Sequence, residues 1–425
     1  MKPAFLQKRR TSSSNRFHTI PQPVSSRVLD SDLRPSFRPL DPSLLVRFIH
    51  QRKKITMSDF KRRSWHDLHD GTQDGLTPLK SLDIKEIDDF SSLLTGMAQT
   101  AFGGRSLGEA QEIFYEMISE SHCLKVGTFS GAMSVAKMGL LICDMIDWGW
   151  LDIIISTGAL MAHGLIESVG LLHYKSPPSR SDAYFYDAGY NRIYDTLEME
   201  KNLNHIEEII SRVLDRIDLE EAPLSSEIFC REVGKYLAEI TDQPGILRNA
   251  YLKGVPVYIP AFTDSELGLD MATSVVRKIL DSKKAVTPAE ALGKMVFNFN
   301  PFFDLGSYTQ HIIKASKLGI FTIGGGVPRN WAQQVGPFLE ILQYRLKEEI
   351  PLKRFSYGVR ICPEPAHWGG LSGCTYSEGV SWGKFASPEE GGRYAEVLCD
   401  ATIAWPILMA GVRHKILKEK ESQAK

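Results

Sequence analysis

From residue 57 onward, short apolar runs rich in β-branched residues alternate with longer amphipathic runs. Strands separated by helices of this length form βαβ units, which assemble into a mostly parallel sheet. The pattern therefore predicts an α/β fold with a Rossmann-like, mostly parallel sheet flanked by helices. The predicted strands are 125–129, 151–155, 255–259, 319–322, 355–361 and 397–400. The predicted helices are 106–120, 133–145, 160–172, 198–217, 225–240, 305–318 and a terminal helix from 401.

The turns that follow the predicted strands are small and polar: SGAMS, STGA, TDSE, GGGV, CPEP and CDA. In a parallel sheet these turns meet at the carboxyl edge, where ligands bind. Backbone N–H groups of such turns can hold the phosphates of a dinucleotide. The GxGxxG fingerprint of ordinary dinucleotide-binding folds is absent from the sequence. A glycine at a strand–helix junction is commonly only a tight turn, so the set leaves a nucleotide site and a purely structural role equally open.

Residues 361–385 (ICPEPAHWGGLSGCTYSEGVSWGKF) are rich in Gly, Ser and aromatic residues, which is typical of a loop that binds a ligand. A lysine beside Trp382 can be desolvated, which lowers its pKa and favours the neutral amine. Neutral Lys384 could then form an imine with a carbonyl or accept an alkyl imine in exchange. Glu378 could position an amine or transfer a proton. The structural alternative is a surface lysine that follows a turn.

Composition excludes several other classes of protein. The 425 residues have a net charge of -1 and are 43% hydrophobic, which gives no support for nucleic acid as the main partner. The six cysteines are scattered without a CxxC pair or a Cys/His metal spacing, so the sequence predicts reduced thiols, no metal and a cytoplasmic location. No apolar run is long enough to cross a bilayer, so no membrane association is predicted.

Residues 1–56 differ in composition from the rest of the chain. They are rich in Arg, Ser and Pro, and the first acidic residue is Asp30. Such a segment cannot bury a core, so we expect a disordered basic extension, a transit peptide, or a start codon assigned too far upstream of Met57. Residues 57–425 are then expected to form a single catalytic domain.

The residues between about 102 and 417 resemble the deoxyhypusine synthase family, which includes homospermidine synthase. The pieces that match, in the order of the family, are GTFSGAMS, DIIISTGA, YNRI, VPVYIPAFTDSELG, GIFTIGGGVP, EGVSWGKF and CDATIAWP. The resemblance implies a Rossmann-like NAD-binding fold and a homotetramer with sites between subunits. It also implies a transferase that oxidises spermidine with NAD, holds the aminobutyl group as a lysine imine, and passes it to an acceptor amine.

The resemblance also assigns residues to roles. Lys384 matches the imine-forming lysine, Trp382 the adjacent ring and Glu378 the loop carboxylate. For Asp264 and Asp400 there is a physical argument as well, because a carboxylate accepts hydrogen bonds from ribose hydroxyls; the alternative for such residues is a helix N-cap. The positions that match NAD contacts are Ser130, Ser134, Thr157, Gly158, Asp264, Gly325, Asp400 and Ala401.

Several positions that carry acidic groups or a histidine in the family carry other residues in this chain. A buried ammonium without a partner costs several kcal/mol or loses its proton, so the loss of these groups predicts a changed amine specificity. The substitutions are Ala162-His163 for a paired glutamate, Trp368 and Leu371 for two aspartates, Leu269 for a third aspartate, and Asn330 for a histidine.

Other residues could compensate in part, namely Glu378, Glu364, Asp270 and Glu266. His163 is a candidate catalytic residue, because its pKa suits proton transfer; the alternative is a helix histidine satisfied by its neighbours. Arg329 could pair with a phosphate or a carboxylate.

Three functions remain open. The first is an NAD-dependent aminoalkyl transferase that acts on a polyamine-like amine, with a small amine or a protein lysine as the acceptor. The second is a homospermidine synthase-like enzyme acting on free diamines, and the third is a catalytically silent NAD-binding homologue.

Overall fold

A computed structural model describes residues 63–217 and 223–423. By its contacts the chain divides into two units, Met1–Leu76 and Thr77–Lys425. In the described part of the first unit, Trp65–Asp67 forms a short 3-10 turn capped by Ser64. The predictions for residues 1–56 and for a boundary at residue 57 lie outside the described residues.

A six-stranded parallel sheet organises the second unit, as the sequence predicted. Its order is β6-β2-β1-β7-β8-β9, and every neighbouring pair is parallel. Counted along the chain within this sheet, the order is 3-2-1-4-5-6, the doubly wound order of Rossmann folds. The strands are β1 (Cys123–Phe129), β2 (Ile153–Ser156), β6 (Val257–Tyr258), β7 (Lys317–Ile323), β8 (Tyr357–Ile361) and β9 (Arg393–Val397).

Alternate residues of these strands pack on opposite faces of the sheet, so the core has two parts. Ile154 belongs to the larger cluster, whereas Ile153 and Ile155 belong to the smaller one. All three are at most 1% exposed, and burying each such side chain stabilises the fold by roughly 1.5–3 kcal/mol. Both faces are therefore covered, as a continuous Ile-Ile-Ile run predicts for a central parallel strand.

Fifteen described helices surround and connect the strands. They are α1 (Phe90–Ala98), α2 (Phe102–Ser119), α3 (Gly139–Asp147), α4 (Gly158–Ser168), α5 (Asp182–Ala188), α6 (Glu200–Leu214), α7 (Ser226–Ile240), α8 (Ile246–Lys253), α9 (Glu266–Asp281), α10 (Pro288–Gly293), α11 (Pro301–Lys314), α12 (Gly326–Gln333), α13 (Val335–Leu346), α14 (Tyr376–Ser381) and α15 (Ala401–Gln423). None of the helices in the described residues has the length and apolar character needed to cross a bilayer.

A second, antiparallel sheet was not predicted. It has the order β3-β5-β4, with β3 at Tyr174–Lys175, β4 at Tyr190–Ile193 and β5 at Thr196–Met199. The two-residue turn between β4 and β5 contains Tyr194 at φ 53° rather than the usual glycine, so the sequence lacked the ordinary hairpin signal. The helix predicted from 198 accordingly begins only at Glu200, and residue 198 lies in a strand.

Other element boundaries were also wrong; the helix predicted at 305–318, for example, ends at Lys314, and residues 317 and 318 lie in β7. The helix predicted at 133–145 begins at Gly139, because residues 131–138 form a series of turns joined by short backbone hydrogen bonds. The last strand is Arg393–Val397 rather than 397–400, since its backbone pairs with β8 from Tyr357↔Arg393 to Ile361↔Val397. Pairing with a neighbouring strand overrode the local preference of these residues.

Candidate active site

A cleft lies at the carboxyl edge of the large sheet, where β1 and β7 are neighbours and the strand order reverses. This is the switch point at which doubly wound sheets bind ligands. Five residues predicted to contact a cofactor lie together in its lining: Ser130, Thr157, Gly158, Asp264 and Gly325. The lining also includes Gly326, Val327 and Pro328 at the start of α12, and Ser372 from the loop after β8.

The hydroxyl groups of this cleft connect its loops. Ser130 Oγ donates a hydrogen bond to the Gly325 carbonyl. Thr157 Oγ1 donates to the Gly131 carbonyl at 2.8 Å and accepts from Leu160 N at 3.4 Å, which caps α4. These two side chains therefore fix the shape of the cleft, and their hydroxyl protons are already used within the protein.

A dinucleotide fits the groups that the cleft offers. Helices α4 and α12 both begin at its lining, and the first N–H groups of a helix are donors for phosphate. Asp264 is exposed there, and its carboxylate can accept hydrogen bonds from ribose hydroxyls. A Cβ on Gly325 would lie 2.5 Å from the Cα of Ser372, so only glycine permits the close approach of these two loops.

The other three predicted cofactor residues have local structural partners and are not among the residues lining this cleft. Ser134 is buried, and its hydroxyl donates to the Leu160 carbonyl at 2.7 Å. Asp400 is exposed and accepts hydrogen bonds at 2.7 Å from both the backbone N and the hydroxyl of Thr402, in the first turn of α15. Ala401 is the buried first residue of that helix. Their roles toward a cofactor stay predictions.

Lys384 is buried just after α14. The residue is 6% exposed, and its Nζ donates a hydrogen bond to Asn330 Oδ1 at 3.0 Å. Burial lowers the pKa of Lys384; nearby Cys374 and Glu378 oppose this shift, while Arg329 reinforces it. The partner is a neutral amide, which accepts a hydrogen bond but stabilises the ammonium less than a carboxylate would.

Trp382 contributes less to this burial than the sequence suggested. The centre of the Trp382 ring is 5.8 Å from Lys384 Nζ, within the range of a cation–π contact. The tryptophan itself is 62% exposed. Glu378 is also exposed and lies in α14, where its backbone N bonds to Thr375 Oγ1 at 3.0 Å. The desolvation of Lys384 therefore comes mainly from the protein core around it.

Arg329 is held by backbone carbonyls of the loop after β8. It is 2% exposed, and its guanidinium donates to the Ser372 carbonyl at 3.3 Å and to the Cys374 carbonyl. Arg360 of β8 donates to the same two carbonyls at 2.6 and 2.8 Å and pairs with Glu396 at 3.2 Å. These two arginines hold the loop that precedes α14, and so they position the segment that carries Lys384.

His163 lies in α4 among buried polar side chains, and its predicted catalytic role stays a prediction. Its Nδ1 is 2.5 Å from Oε2 of the fully buried Glu198, and His173 Nε2 is 3.9 Å from the same oxygen. Burial alone would lower the pKa of His163, but Glu198 and Glu266 together raise it. Burial and the charge of Lys137 lower the pKa of His173 to about 4. Residues 163, 173 and 198 could not be grouped from the sequence, because one belongs to a helix, one to a loop and one to the unpredicted sheet.

Three of the positions at which the resemblance to the family implies carboxylates carry exposed apolar side chains. Trp368 is 71% exposed, Leu269 63% and Leu371 48%. Asp270, beside Leu269 in α9, is partly buried, and this burial together with Glu207 and Glu266 raises its pKa to about 7. Acidic groups therefore persist near α9, but the loop after β8 presents large apolar side chains.

Comparison with known proteins assigns the family. The family model of deoxyhypusine synthase matches residues 92–412. The chain belongs to the deoxyhypusine synthase family. Two archaeal relatives, each named "Probable deoxyhypusine synthase 2", are similar to it. The protein of Archaeoglobus fulgidus is 32% identical over 74% of this chain and 95% of its own length. The protein of Methanosarcina mazei is 31% identical over 80% of this chain and 90% of its own length. This confirms the resemblance seen in the sequence.

A bacterial relative, the "Deoxyhypusine synthase-like protein" of Elusimicrobium minutum, is 29% identical over 79% of this chain and 84% of its own length. Among solved structures, a candidate deoxyhypusine synthase from Entamoeba histolytica gives a TM-score of 0.49 at 13% identity, over 78% of this chain and 96% of that chain. The family assignment rests on the sequence comparisons. Family membership fits a transferase of the aminobutyl type.

Proposed function

We propose that this deoxyhypusine synthase-family protein is an NAD-dependent aminoalkyl transferase that works through an imine on Lys384 and accepts an amine other than spermidine. The observation that carries the proposal is Lys384 itself, which is buried, has a lowered pKa and donates to a neutral amide. A surface lysine would have none of these properties.

The cleft lined by Ser130, Thr157 and Asp264 would hold the dinucleotide, which would supply hydride-acceptor and hydride-donor chemistry for the carbon next to the donor nitrogen. Between the two hydride transfers, neutral Lys384 Nζ adds to the C=N carbon of the oxidised donor and expels the leaving amine, so the alkyl group becomes an imine of Lys384. An acceptor amine then adds to the same carbon and releases Lys384. Asn330 orients Nζ for both additions, because its Oδ1 fixes one N–H of the lysine.

The altered amine specificity is supported by the exposed apolar side chains of Trp368, Leu371 and Leu269. These side chains cannot pair with an ammonium group, so a donor with several charges would be poorly stabilised in their vicinity. A donor that is shorter, or that carries a different end group, fits them better. The same exposed side chains support the homotetramer that the resemblance implies, since large exposed apolar groups are common where subunits meet.

The test is to trap the covalent adduct. The full chain is incubated with NAD and, separately, with spermidine, putrescine or agmatine, then reduced with borohydride and mapped by mass spectrometry. We expect an NAD-dependent adduct on Lys384 whose added mass identifies the donor. The adduct should be absent in Lys384→Ala and retained in Lys353→Ala, a partly buried lysine that donates to the Ala315 carbonyl.

The fate of the alkyl group distinguishes the acceptors. A new polyamine in solution would indicate the homospermidine synthase-like reaction, whereas a labelled lysine on a second protein would indicate a protein acceptor. If NAD binds and no amine gives an adduct on Lys384, the transferase proposal is wrong and a silent NAD-binding homologue takes its place.

A further inference from the structure

Three buried side chains that the proposed transfer does not need converge next to α4. They are His163 in α4, His173 in the loop that follows it, and Glu198 in β5. The side chains of His173 and Glu198 are fully buried, and that of His163 is 9% exposed. Their ligand atoms all lie within 4.8 Å of one another.

Four polar atoms of this cluster have no hydrogen-bond partner among the described residues. They are His163 Nδ1, His173 Nε2 and both carboxylate oxygens of Glu198. His163 Nδ1 and Glu198 Oε2 form an ion-pair contact at 2.5 Å whose direction is poor for a hydrogen bond. Buried polar atoms are almost always well paired, so a cluster whose ligand atoms lie within 4.8 Å of one another without good hydrogen bonds calls for a group that binds them together.

We propose that His163, His173 and Glu198 form a binding site for a divalent transition-metal ion of the Zn²⁺ class. Two imidazoles and one carboxylate are a common donor set for Zn²⁺ and its neighbours, and they leave a fourth position open. The ligand atoms are His163 Nδ1, His173 Nε2 and a Glu198 oxygen.

Movements of about 1.5 Å or less bring the three ligand atoms, which lie within 4.8 Å of one another, to the distances that such an ion needs. Tetrahedral Zn²⁺, with bonds of about 2.0–2.2 Å, places its ligand atoms roughly 3.3 Å apart. The gap of 2.5 Å between His163 and Glu198 therefore opens slightly, and the gap of 3.9 Å between His173 and Glu198 closes slightly. Glu266, whose Oε2 is also buried without a partner among the described residues, supplies a nearby acceptor for a water in the fourth position.

The ion would connect three segments that the sequence keeps apart. It would tie the small antiparallel sheet, through β5, to the helix that begins at the cleft with Thr157. The site is independent of the lysine chemistry, since Lys384 is held by Asn330. Its failure would leave the proposed transferase function untouched.

One contact on the far side of His173 regulates the affinity. Lys137 Nζ lies 2.9 Å from His173 Nδ1 and 2.6 Å from Glu167 Oε1. When Nε2 binds a metal, Nδ1 carries the hydrogen, and an ammonium that only donates cannot pair with it. Lys137 would then keep its contact with Glu167 and lose the one with His173. Lys137→Gln, whose amide oxygen can accept from Nδ1, should therefore bind metal more tightly.

The experiment uses the full chain, stripped with EDTA and then titrated with Zn²⁺ or Co²⁺. We expect one equivalent of tightly bound metal by elemental analysis, the visible absorption of four-coordinate Co²⁺, and a higher Tm with Zn²⁺. Glu198→Gln and His173→Gln should weaken binding by about tenfold or more. The control is His205→Gln, because His205 is also 3.9 Å from a carboxylate, that of Glu208, but both side chains are exposed.

Circular dichroism of each variant in EDTA verifies that it is folded before metal is added. The proposal is overturned if the folded wild-type chain binds neither ion stoichiometrically, or if Glu198→Gln and His173→Gln bind as tightly as His205→Gln. Weaker binding in Lys137→Gln would overturn the assignment of His173 Nε2 as the ligand atom.

Discussion

Two regions of the protein handle buried charge in different ways. Around Lys384, the buried amine donates a hydrogen bond to the neutral Asn330, and burial lowers the pKa of the lysine. Around α4 and α9, acidic groups are buried near one another, which raises the pKa of Asp270 to about 7. Burial favours the neutral form in both regions. The difference is that His163 has the counter-charge of Glu198 within reach, so its pKa rises instead of falling.

Our two proposals follow from this difference. A lysine with a neutral partner loses its proton more easily and can then act as a nucleophile. A buried carboxylate beside two imidazoles offers the negative charge that a metal cation needs. Each region can be disturbed separately, which gives the following tests.

The largest effect should come from Lys384→Arg. Arginine keeps the positive charge but does not deprotonate and cannot form an imine. We expect turnover to fall by at least about 10³-fold, as for loss of a covalent nucleophile. The measurement is steady-state turnover with the donor identified by trapping, and Lys353→Arg should stay within a few-fold of wild type. Turnover retained in Lys384→Arg would show that the lysine region does no covalent chemistry.

The next effect should come from Arg329→Met. The guanidinium donates to the Ser372 and Cys374 carbonyls, and the methionine would leave buried acceptors with one donor fewer. Hydrogen bonds from a charged group contribute about 1.5–3 kcal/mol, so we expect the free energy of unfolding to fall by about 2–4 kcal/mol. Urea denaturation measures this, with the exposed Arg345→Met as the matched control. A loss below 1 kcal/mol would mean that Arg360 alone holds the loop.

A third test gives Lys384 a buried counter-charge, as His163 has in Glu198. Asn330→Asp places a carboxylate at the atom that Lys384 now contacts at 3.0 Å. An opposite charge at this distance raises the lysine pKa by about 1–3 units, so the neutral fraction near pH 7 falls by at least about tenfold. The pH dependence of adduct formation should shift to higher pH, with the rate recovered in alkaline buffer. An unchanged pH profile would show that deprotonation of Lys384 does not limit the reaction.

The smallest effect should come from Asp270→Asn. The raised pKa means that the folded state holds a proton that the unfolded state has lost between about pH 4 and 7, so wild-type stability falls as pH rises through this window. Because the group is partly exposed and screened by solvent, we expect the variant to be more stable at pH 8 by only about 1–2 kcal/mol, with little difference at pH 4. Thermal unfolding at the two pH values measures this, and Asp281→Asn at the exposed end of α9 is the control. Equal stabilisation at both pH values would exclude ionisation of Asp270 as the cause.

Much of the fold and part of the site could be predicted because their signals are local. The run Ile153–Ile155 is apolar on both faces of a strand, and the small-residue turns mark the carboxyl edge, so the parallel sheet and the cleft lined by Ser130, Thr157 and Gly325 could both be expected. The Trp-Gly-Lys segment likewise marked Lys384, and its burial agrees with the lowered pKa expected from the sequence.

The remaining features depend on residues that meet only when the chain folds. Nothing near Asn330 in the sequence indicates that it receives the Lys384 ammonium, 54 residues further on. From the sequence, Arg329 was a candidate partner for an anionic ligand. In the structure its guanidinium donates to the carbonyls of residues 372 and 374. A contact between β5 and α4 brings together His163, His173 and Glu198. The hydrophobic periodicity of either element does not predict that contact. The sequence by itself determined the alternation of strands and helices and singled out Lys384 as the candidate nucleophile, since backbone preference and hydrophobic pattern act over a few residues. Only the tertiary structure decided which charges are buried, and beside which partners, because desolvation and pairing depend on groups that are distant along the chain.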